Sequence, residues 1–174
     1  MRKNIKILFL DIDGTLTDGI YSVSSNGIIT KNFYTRDFCA IERLLKNRIK
    51  VFFITSSEDK CIAEKCKTNN FLRKYENQLF IFNKVGIKEE YINYLRGKLA
   101  PNNIRNNVGD FHWHEIAYMG DAQNDLASMK LSAISACPCD AEKPIIKIAD
   151  YVSPYKGGHG AVADFIEHLL ENDK

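Results

Sequence analysis

Apolar runs and helix-period patterns alternate along almost the whole chain. Residues 5–10 are nearly continuous in hydrophobicity, as in a strand covered on both faces. Residues 20–23 and 28–30 are short β-prone runs flanking Ser25-Asn26-Gly27. Asn-Gly tolerates positive φ, so this stretch predicts a hairpin. Phe38, Ile41, Leu44 and Leu45 recur at helical spacing within 37–47, and 49–54 reads as a second buried strand. A helix is expected over 58–67 with Ile62 and Cys66 on one side, a strand over 79–82, and a helix over 88–99 that stops ahead of Pro101. The Asn-rich stretch 101–110 reads as a loop. Strands at 116–119, 134–136 and 151–152 then alternate with helices at about 122–130, 142–148 and 160–170. Repeated βα units predict an α/β fold, a parallel sheet layered between helices, with ligands at the carboxyl ends of the strands. With no linker or repeat in sight, residues 1–174 read as a single domain carrying a hairpin insertion at about 19–34.

Composition narrows the classes of function. Hydrophobic residues make up 45% and charged residues 26% of the 174 positions, an ordinary globular balance. The 24 basic and 22 acidic side chains leave a formal charge of only +2, so no electrostatic footprint for nucleic acid is expected. The apolar run before Asp11 is too short for a membrane span or signal peptide, which makes a cytoplasmic enzyme the default expectation. Five cysteines form an odd, unpatterned set and are expected as thiols. Cys137-Pro138-Cys139 has no second ligand pair at zinc spacing. His112-Trp113-His114 reads more simply as Trp113 packing at a sheet edge with partly exposed imidazoles than as a metal site.

The chemistry concentrates where apolar strands end. The first strand runs into Asp11-Ile12-Asp13-Gly14-Thr15-Leu16-Thr17-Asp18-Gly19. Two aspartates at spacing two would project together at the strand's carboxyl end. Asp-Gly also marks ordinary turns, but the whole nine-residue run behind a buried strand is far more specific than a turn signal. A second acidic run, Gly120-Asp121-Ala122-Gln123-Asn124-Asp125, follows the strand at 116–119. Alone it would be a helix start with favourable acidic residues.

With these residues in place, the chain resembles the haloacid dehalogenase superfamily, whose phosphatases carry Asp-x-Asp-Gly-Thr after their first strand and Gly-Asp-x-x-x-Asp further on. The resemblance implies a Rossmann-like three-layer sheet and Mg²⁺ as cofactor. It makes Asp11 the nucleophile toward phosphorus, and Asp13 the acid that protonates the leaving oxygen and later activates water. It places the metal on Asp11, the Asp13 backbone carbonyl and Asp121, with Asp125 orienting a ligand or the lysine. It makes Thr55, at the end of the second buried strand, a hydrogen-bond donor to the transferring phosphoryl group, and Lys88 the charge-balancing lysine, with Lys84 its rival. These roles fit the chemistry. A sugar alkoxide is a poor leaving group that needs a proton. A carboxylate nucleophile divides one hard hydrolysis into two steps. Like charges about 4 Å apart repel by roughly 4 kcal/mol at an effective dielectric near 20, so cations must stand close. Oxygen ligands suit Mg²⁺.

The 19–36 interval holds only a hairpin and 55–88 a single βα unit, which leaves no room for a large cap domain. This resembles the minimal-cap branch that contains 3-deoxy-D-manno-octulosonate 8-phosphate phosphatase, phosphatases of nine-carbon keto-sugar-acid 9-phosphates, and the C-terminal domain of some CMP-sialate synthetases. Thr35-Arg36-Asp37, Ala117-Tyr118-Met119-Gly120-Asp121 and Gly157-Gly158-His159-Gly160-Ala161-Val162 carry that resemblance. It implies a phosphorylated sugar acid as substrate and a homotetramer in which neighbouring hairpins help close the sites. Candidate substrate-binding residues are Arg36, Ser56, Glu58 and His159. The chain departs from the octulosonate pattern at two points: Ser56-Ser57-Glu58 stands where Gly-Arg follows the threonine, and His159 stands where the glycine motif has Arg. Both changes remove a bidentate anion partner that His does not replace. Glu58 at the mouth is suited instead to hydroxyls of a larger sugar acid, or it is a solvated helix-start residue. A degenerate, non-catalytic module beside a sugar-nucleotide synthetase is the alternative from a different class.

Overall fold

The computed structural model describes residues 4–58, 60–68, 70–97 and 110–172. Its centre is a six-stranded, all-parallel sheet built from β1 (Ile7–Leu10), β4 (Lys50–Ile54), β5 (Leu79–Phe82), β6 (Ile116–Met119), β7 (Ile134–Cys137) and β8 (Tyr151–Val152). The strand order is β5-β4-β1-β6-β7-β8. The chain builds outward from β1 through β4 to β5, then returns to the other side of β1 with β6. That reversal opens a crevice at the carboxyl end of β1, the position where sheets of this kind bind ligands.

Every residue of β1 is buried, because consecutive side chains feed different cores. Leu8 and Leu10 join the core beneath α1 (Thr35–Lys46), α2 (Cys61–Thr68) and α7 (Ala161–Asn172). Ile7 and Phe9 join the core beneath α4 (Lys88–Arg96), α5 (Leu126–Leu131) and α6 (Lys143–Ile146). This double coverage is why the strand reads as an unbroken apolar run. The register Leu10↔Phe53 and Leu10↔Met119 then sets Ile54, the last residue of β4, and Gly120, the first beyond β6, on either side of Asp11.

β2 (Tyr21–Val23) and β3 (Ile29–Lys31) form the expected hairpin as a separate antiparallel pair with Gly27 at positive φ. Sulfur of Cys61 lies 3.7 Å from the Ile29 carbonyl and ties the hairpin to the start of α2. No large cap is present among the described residues, and the fold is the layered α/β arrangement anticipated above.

Several boundaries differ from the sequence reading. α2 begins at Cys61 rather than 58: the Thr55 hydroxyl accepts the Ser57 N–H at 3.0 Å, and the Ser57 carbonyl accepts the Lys84 N–H at 3.2 Å. Those bonds hold the 55–57 backbone out of helix. A four-residue α3 (Phe71–Lys74), with Phe71 and Tyr75 buried one turn apart, escaped the periodicity altogether. The helix after Asp121 opens with a 3-10 turn, Gln123–Asp125, before α5. α4 reaches Arg96; Leu99 and the loop expected at 101–110 lie outside the described residues, apart from Asp110. Trp113 donates from Nε1 to Asn93 at 3.0 Å, and His112 and His114 stack beside it. All five cysteines are thiols.

Candidate active site

Asp11 is the first residue beyond β1. Its N–H donates to the Met119 carbonyl at 3.0 Å, so the strand pairing carries the backbone right up to the carboxylate. Leu16 and Thr17 then turn back onto the Ile12 carbonyl, each at 2.9 Å, which closes the loop that carries Asp13. Gly14, at φ +93°, is forced by its neighbour. A Cβ there would stand 2.1 Å from Asp121 Oδ2, so only glycine lets the Asp13–Gly14 peptide lie against that carboxylate. From the far end of the chain, Gly157 presses on the same loop: a Cβ would meet the Gly14 carbonyl oxygen at 1.9 Å. Gly158 donates its N–H to the Thr15 carbonyl at 3.1 Å. The glycine-rich 157–160 segment is therefore the loop's backing.

Lys88, at the start of α4, reaches the carboxyl end of the central strand β1 with its side chain wholly buried. Its ammonium pairs with Asp11 Oδ1 and donates to Asp125 Oδ1 at 2.7 Å. Asp125 is fully engaged. Oδ1 also accepts the Tyr118 hydroxyl at 2.6 Å, and Oδ2 accepts the N–H groups of Asp121 and Ala122, both at 3.2 Å. Asp121 accepts the Thr15 hydroxyl at 2.9 Å. Lys84, the rival lysine, points away and pairs with Glu58 at the surface.

Burial is the largest influence on Asp11 and, with the charge of Asp125, drives its carboxyl well above the usual range against the pull of Lys88. Asp121 is pushed up to about 6, again chiefly by burial, with the Thr15 hydrogen bond opposing. Burial works against the Lys88 ammonium, yet Asp11 and Asp125 outweigh it and raise its pKa. Such a cluster is relieved by a hard cation. One oxygen from each of Asp11, Asp121 and Asp125 lies within 4.8 Å of the others, a donor set of the kind Mg²⁺ takes. Because all of Asp125's bonding is directed at Lys88, Tyr118 and the backbone, Asp11 and Asp121 are the carboxylates left to face a cation. Gly14 packs directly against Asp121.

Thr55 is buried at the end of β4, next to the first strand's exit, with its hydroxyl accepting from Ser57. Ser56, exposed, accepts from Asn124 Nδ2 at 3.4 Å and so spans the crevice between the β4 and β6 loops. Glu58 is exposed at the same rim in its pair with Lys84. Arg36 and His159 are not brought to the carboxylates. They line a separate open cavity of about 610 Å³ with Tyr34, Cys39 and Tyr155, and His159 Nδ1 lies 2.8 Å from the Gly157 carbonyl. Three participants went unassigned in the sequence. Tyr118 stood within the resemblance run 117–121 but carried no role; it lies in a fully buried strand. Thr15 was visible within the motif but carried no role. Lys31, on β3, carried no reading in the sequence; its side chain is only 3% exposed and its Nζ lies 2.5 Å from Asp13 Oδ1.

No protein-family model matches the chain. The 3-deoxy-D-manno-octulosonate 8-phosphate phosphatase KdsC of Salmonella typhi is 32% identical over 168 residues, covering 97% of this chain and 80% of its own length. An N-acylneuraminate cytidylyltransferase of Oncorhynchus mykiss is 31% identical over 166 residues, 95% of this chain but 35% of that protein. Among solved structures, a putative octulosonate 8-phosphate phosphatase from Vibrio cholerae superposes with a TM-score of 0.82 at 26% identity, covering 98% of this chain and 86% of that one. The Moraxella catarrhalis octulosonate 8-phosphate phosphatase, solved with magnesium, phosphate and KDO, shares the fold at a TM-score of 0.78 and 22% identity, over 98% and 88% of the two chains. With Asp11 closing its first strand and Asp121 and Asp125 meeting it from the loop after β6, the chain belongs to the KdsC family of haloacid dehalogenase-type phosphatases, which are phosphoric monoester hydrolases.

Proposed function

We propose that this protein hydrolyses the phosphate monoester of a 2-keto-3-deoxy sugar acid, an octulosonate 8-phosphate or a nonulosonate 9-phosphate, through an aspartyl-phosphate on Asp11. The observation that carries this reading is the Asp11–Lys88–Asp125 chain buried beneath the carboxyl end of β1, with Asp121 alongside. Lys88 fixes one oxygen of Asp11, which leaves the other to attack phosphorus while the bond to the sugar oxygen breaks. Asp13, a third exposed on the open side, gives the departing alkoxide its proton. Water then attacks the phosphorus of the acyl phosphate, Asp13 takes its proton, and inorganic phosphate leaves with Asp11 restored. Thr55 donates to the phosphoryl oxygens from the neighbouring strand end. Mg²⁺ would be held by Asp11, Asp121 and the Asp13 carbonyl, and when bound would neutralise charge on the phosphate and the nucleophile.

Ser56 and Glu58 stand at the rim, where sugar hydroxyls would lie, and the absence of arginine at those positions favours the larger, nine-carbon acids. We read Arg36 and His159 as more distant contacts, or as contacts to a neighbouring copy's substrate. The exposed apolar residues Ile20, Tyr21, Val23, Ile28 and Ile29 of the hairpin support association, and we take a homotetramer as the working form. No described helix is long and apolar enough to cross a membrane, and the site of action we propose is the cytoplasm. The cytidylyltransferase relative supports a second reading, in which this chain is a non-catalytic partner module for a sugar-nucleotide synthetase.

The test is phosphate release with Mg²⁺ from a panel of sugar-acid phosphates, with Asp11→Asn as control. Turnover on eight- or nine-carbon acids that falls by at least about a thousandfold in the variant supports the enzyme. No turnover by the wild type on any of the panel favours the module.

A further inference from the structure

The hairpin is exposed along nearly its whole length. Tyr21 is 58% exposed and Val23 60%, and Ile28 and Ile29 are largely in solvent as well. Lys31 breaks this pattern. On a strand whose neighbours face water, its side chain is 3% exposed and its ammonium sits 2.5 Å from Asp13 Oδ1, with the Tyr21 ring 5.8 Å away. A lysine on a two-stranded ribbon has every opportunity to extend into water, and withdrawing its charge is costly. Here it is turned inward toward the catalytic loop.

We propose that Lys31 is a substrate-binding residue that contacts the phosphate ester from the open side of the site, opposite Lys88. This rests on the phosphatase reading above, and three observations support it. The first is charge. The described site gathers Asp11, Asp13, Asp121 and Asp125 around Lys88 and Lys31, so an incoming phosphate dianion meets more negative than positive side chains. The second is placement. Lys88 lies behind Asp11 with no exposed side-chain surface, whereas Asp13 is 33% exposed. The Lys31 ammonium is thus buried against a carboxylate that is itself open to an incoming ligand. The third is reach. A carboxyl group that passes its proton to the ester oxygen must come within about 2.6–3.2 Å of it, which puts the Lys31 ammonium within about 6 Å of the same oxygen. An ammonium has three donors, so its bond to Asp13 does not by itself exclude one to a phosphoryl oxygen. The bland counter-reading is that the ion pair merely fastens the hairpin to the loop.

The experiment uses inorganic phosphate with saturating Mg²⁺, measured as calorimetric binding and as inhibition of p-nitrophenyl phosphate hydrolysis. Lys31→Met should weaken phosphate binding by roughly ten- to a hundredfold, the usual weight of a lost charged hydrogen bond. Lys31→Arg should recover part of that loss. Lys31→Gln, with a polar chain on the same exposed ribbon, serves if the methionine variant folds poorly. Unchanged phosphate affinity in the folded variants overturns the inference and leaves a latch. A wild-type protein that binds no phosphate overturns the phosphatase reading, and this proposal with it.

Discussion

The back and the front of the cluster are built in opposite ways. Behind Asp11, Lys88, Asp125 and Tyr118 are sealed from water, and both oxygens of Asp125 are spoken for. In front, Ser56 and Glu58 are exposed, and Glu58 shares its charge with an equally exposed Lys84. The back is held by packing and cannot adapt. The front is held by weak, solvent-screened contacts and can be remodelled without disturbing the core. On the proposed function, this division would keep the reacting end rigid and leave the rim, where the sugar is expected, replaceable.

The sharpest way to break the comparison is Lys88→Met. It would leave Asp11 and Asp125 facing each other in a buried space with no shared cation. Removing one partner of a buried ion pair typically costs about 3–5 kcal/mol. The expectation is a loss of that order in denaturant unfolding, together with activity reduced by at least about a thousandfold. A variant as stable as the wild type would show that the back wall is not held by this pair.

How much of this was legible in the sequence follows the same division. Asp11, Asp13 and Asp121 could be picked out because their chemistry sits at fixed chain spacings behind apolar strands, and strand register does the rest. Lys88 could be preferred over Lys84 only by its place at a helix start, and the structure puts Lys88, not Lys84, on Asp11. Tyr118 and Lys31 could not be assigned. The first acts through a helix turn seven residues on, and the second through a ribbon that folds back over the loop, so neither carries a local signature. α3 was missed because four residues are too few to establish a period, and the start of α2 because the two bonds made by Ser57 override local propensity. The pairing of Thr35-Arg36-Asp37 with the distant glycine motif also becomes intelligible only in three dimensions. Gly160 has no side chain to cap α7, and Asp37 of α1 does so instead, accepting the Ala163 N–H at 2.8 Å.

Asp37 sharpens the contrast between buried carboxylates. Asp125 is matched by Lys88, whereas Asp37 is just as inaccessible and meets backbone amides rather than a cation; its Oδ2 has no partner among the described residues. Burial pushes its pKa from 3.8 up to about 6, with the amides of Ala163 and Gly160 and the nearby His159 opposing. The sign follows directly. The folded state binds this proton more tightly than the unfolded chain, so the contribution to stability is complete below about pH 4 and is lost as pH rises through about 6. Asp37→Asn keeps an oxygen for Ala163 while removing the charge. It should therefore raise stability near pH 8 by up to about 3 kcal/mol and flatten the pH dependence between 4 and 7. An unaltered pH profile of unfolding would mean that Asp37 does not titrate there.

The smallest expected effect is at the rim. Glu58→Gln removes one charge from a pair in which both side chains are mostly exposed. Exposed pairs contribute at most about 1 kcal/mol, so melting should barely move. Use of p-nitrophenyl phosphate should be unchanged, since that ester presents no sugar hydroxyls to the rim. The ratio of kcat/KM for nine- over eight-carbon acids should fall severalfold, because a carboxylate accepts hydroxyl hydrogen bonds more strongly than an amide does. A uniform loss on all three substrates would place Glu58 with the machinery behind Asp11. No loss on any would return it to solvent. Only a selective loss agrees with a front that sorts substrates while the back performs the reaction.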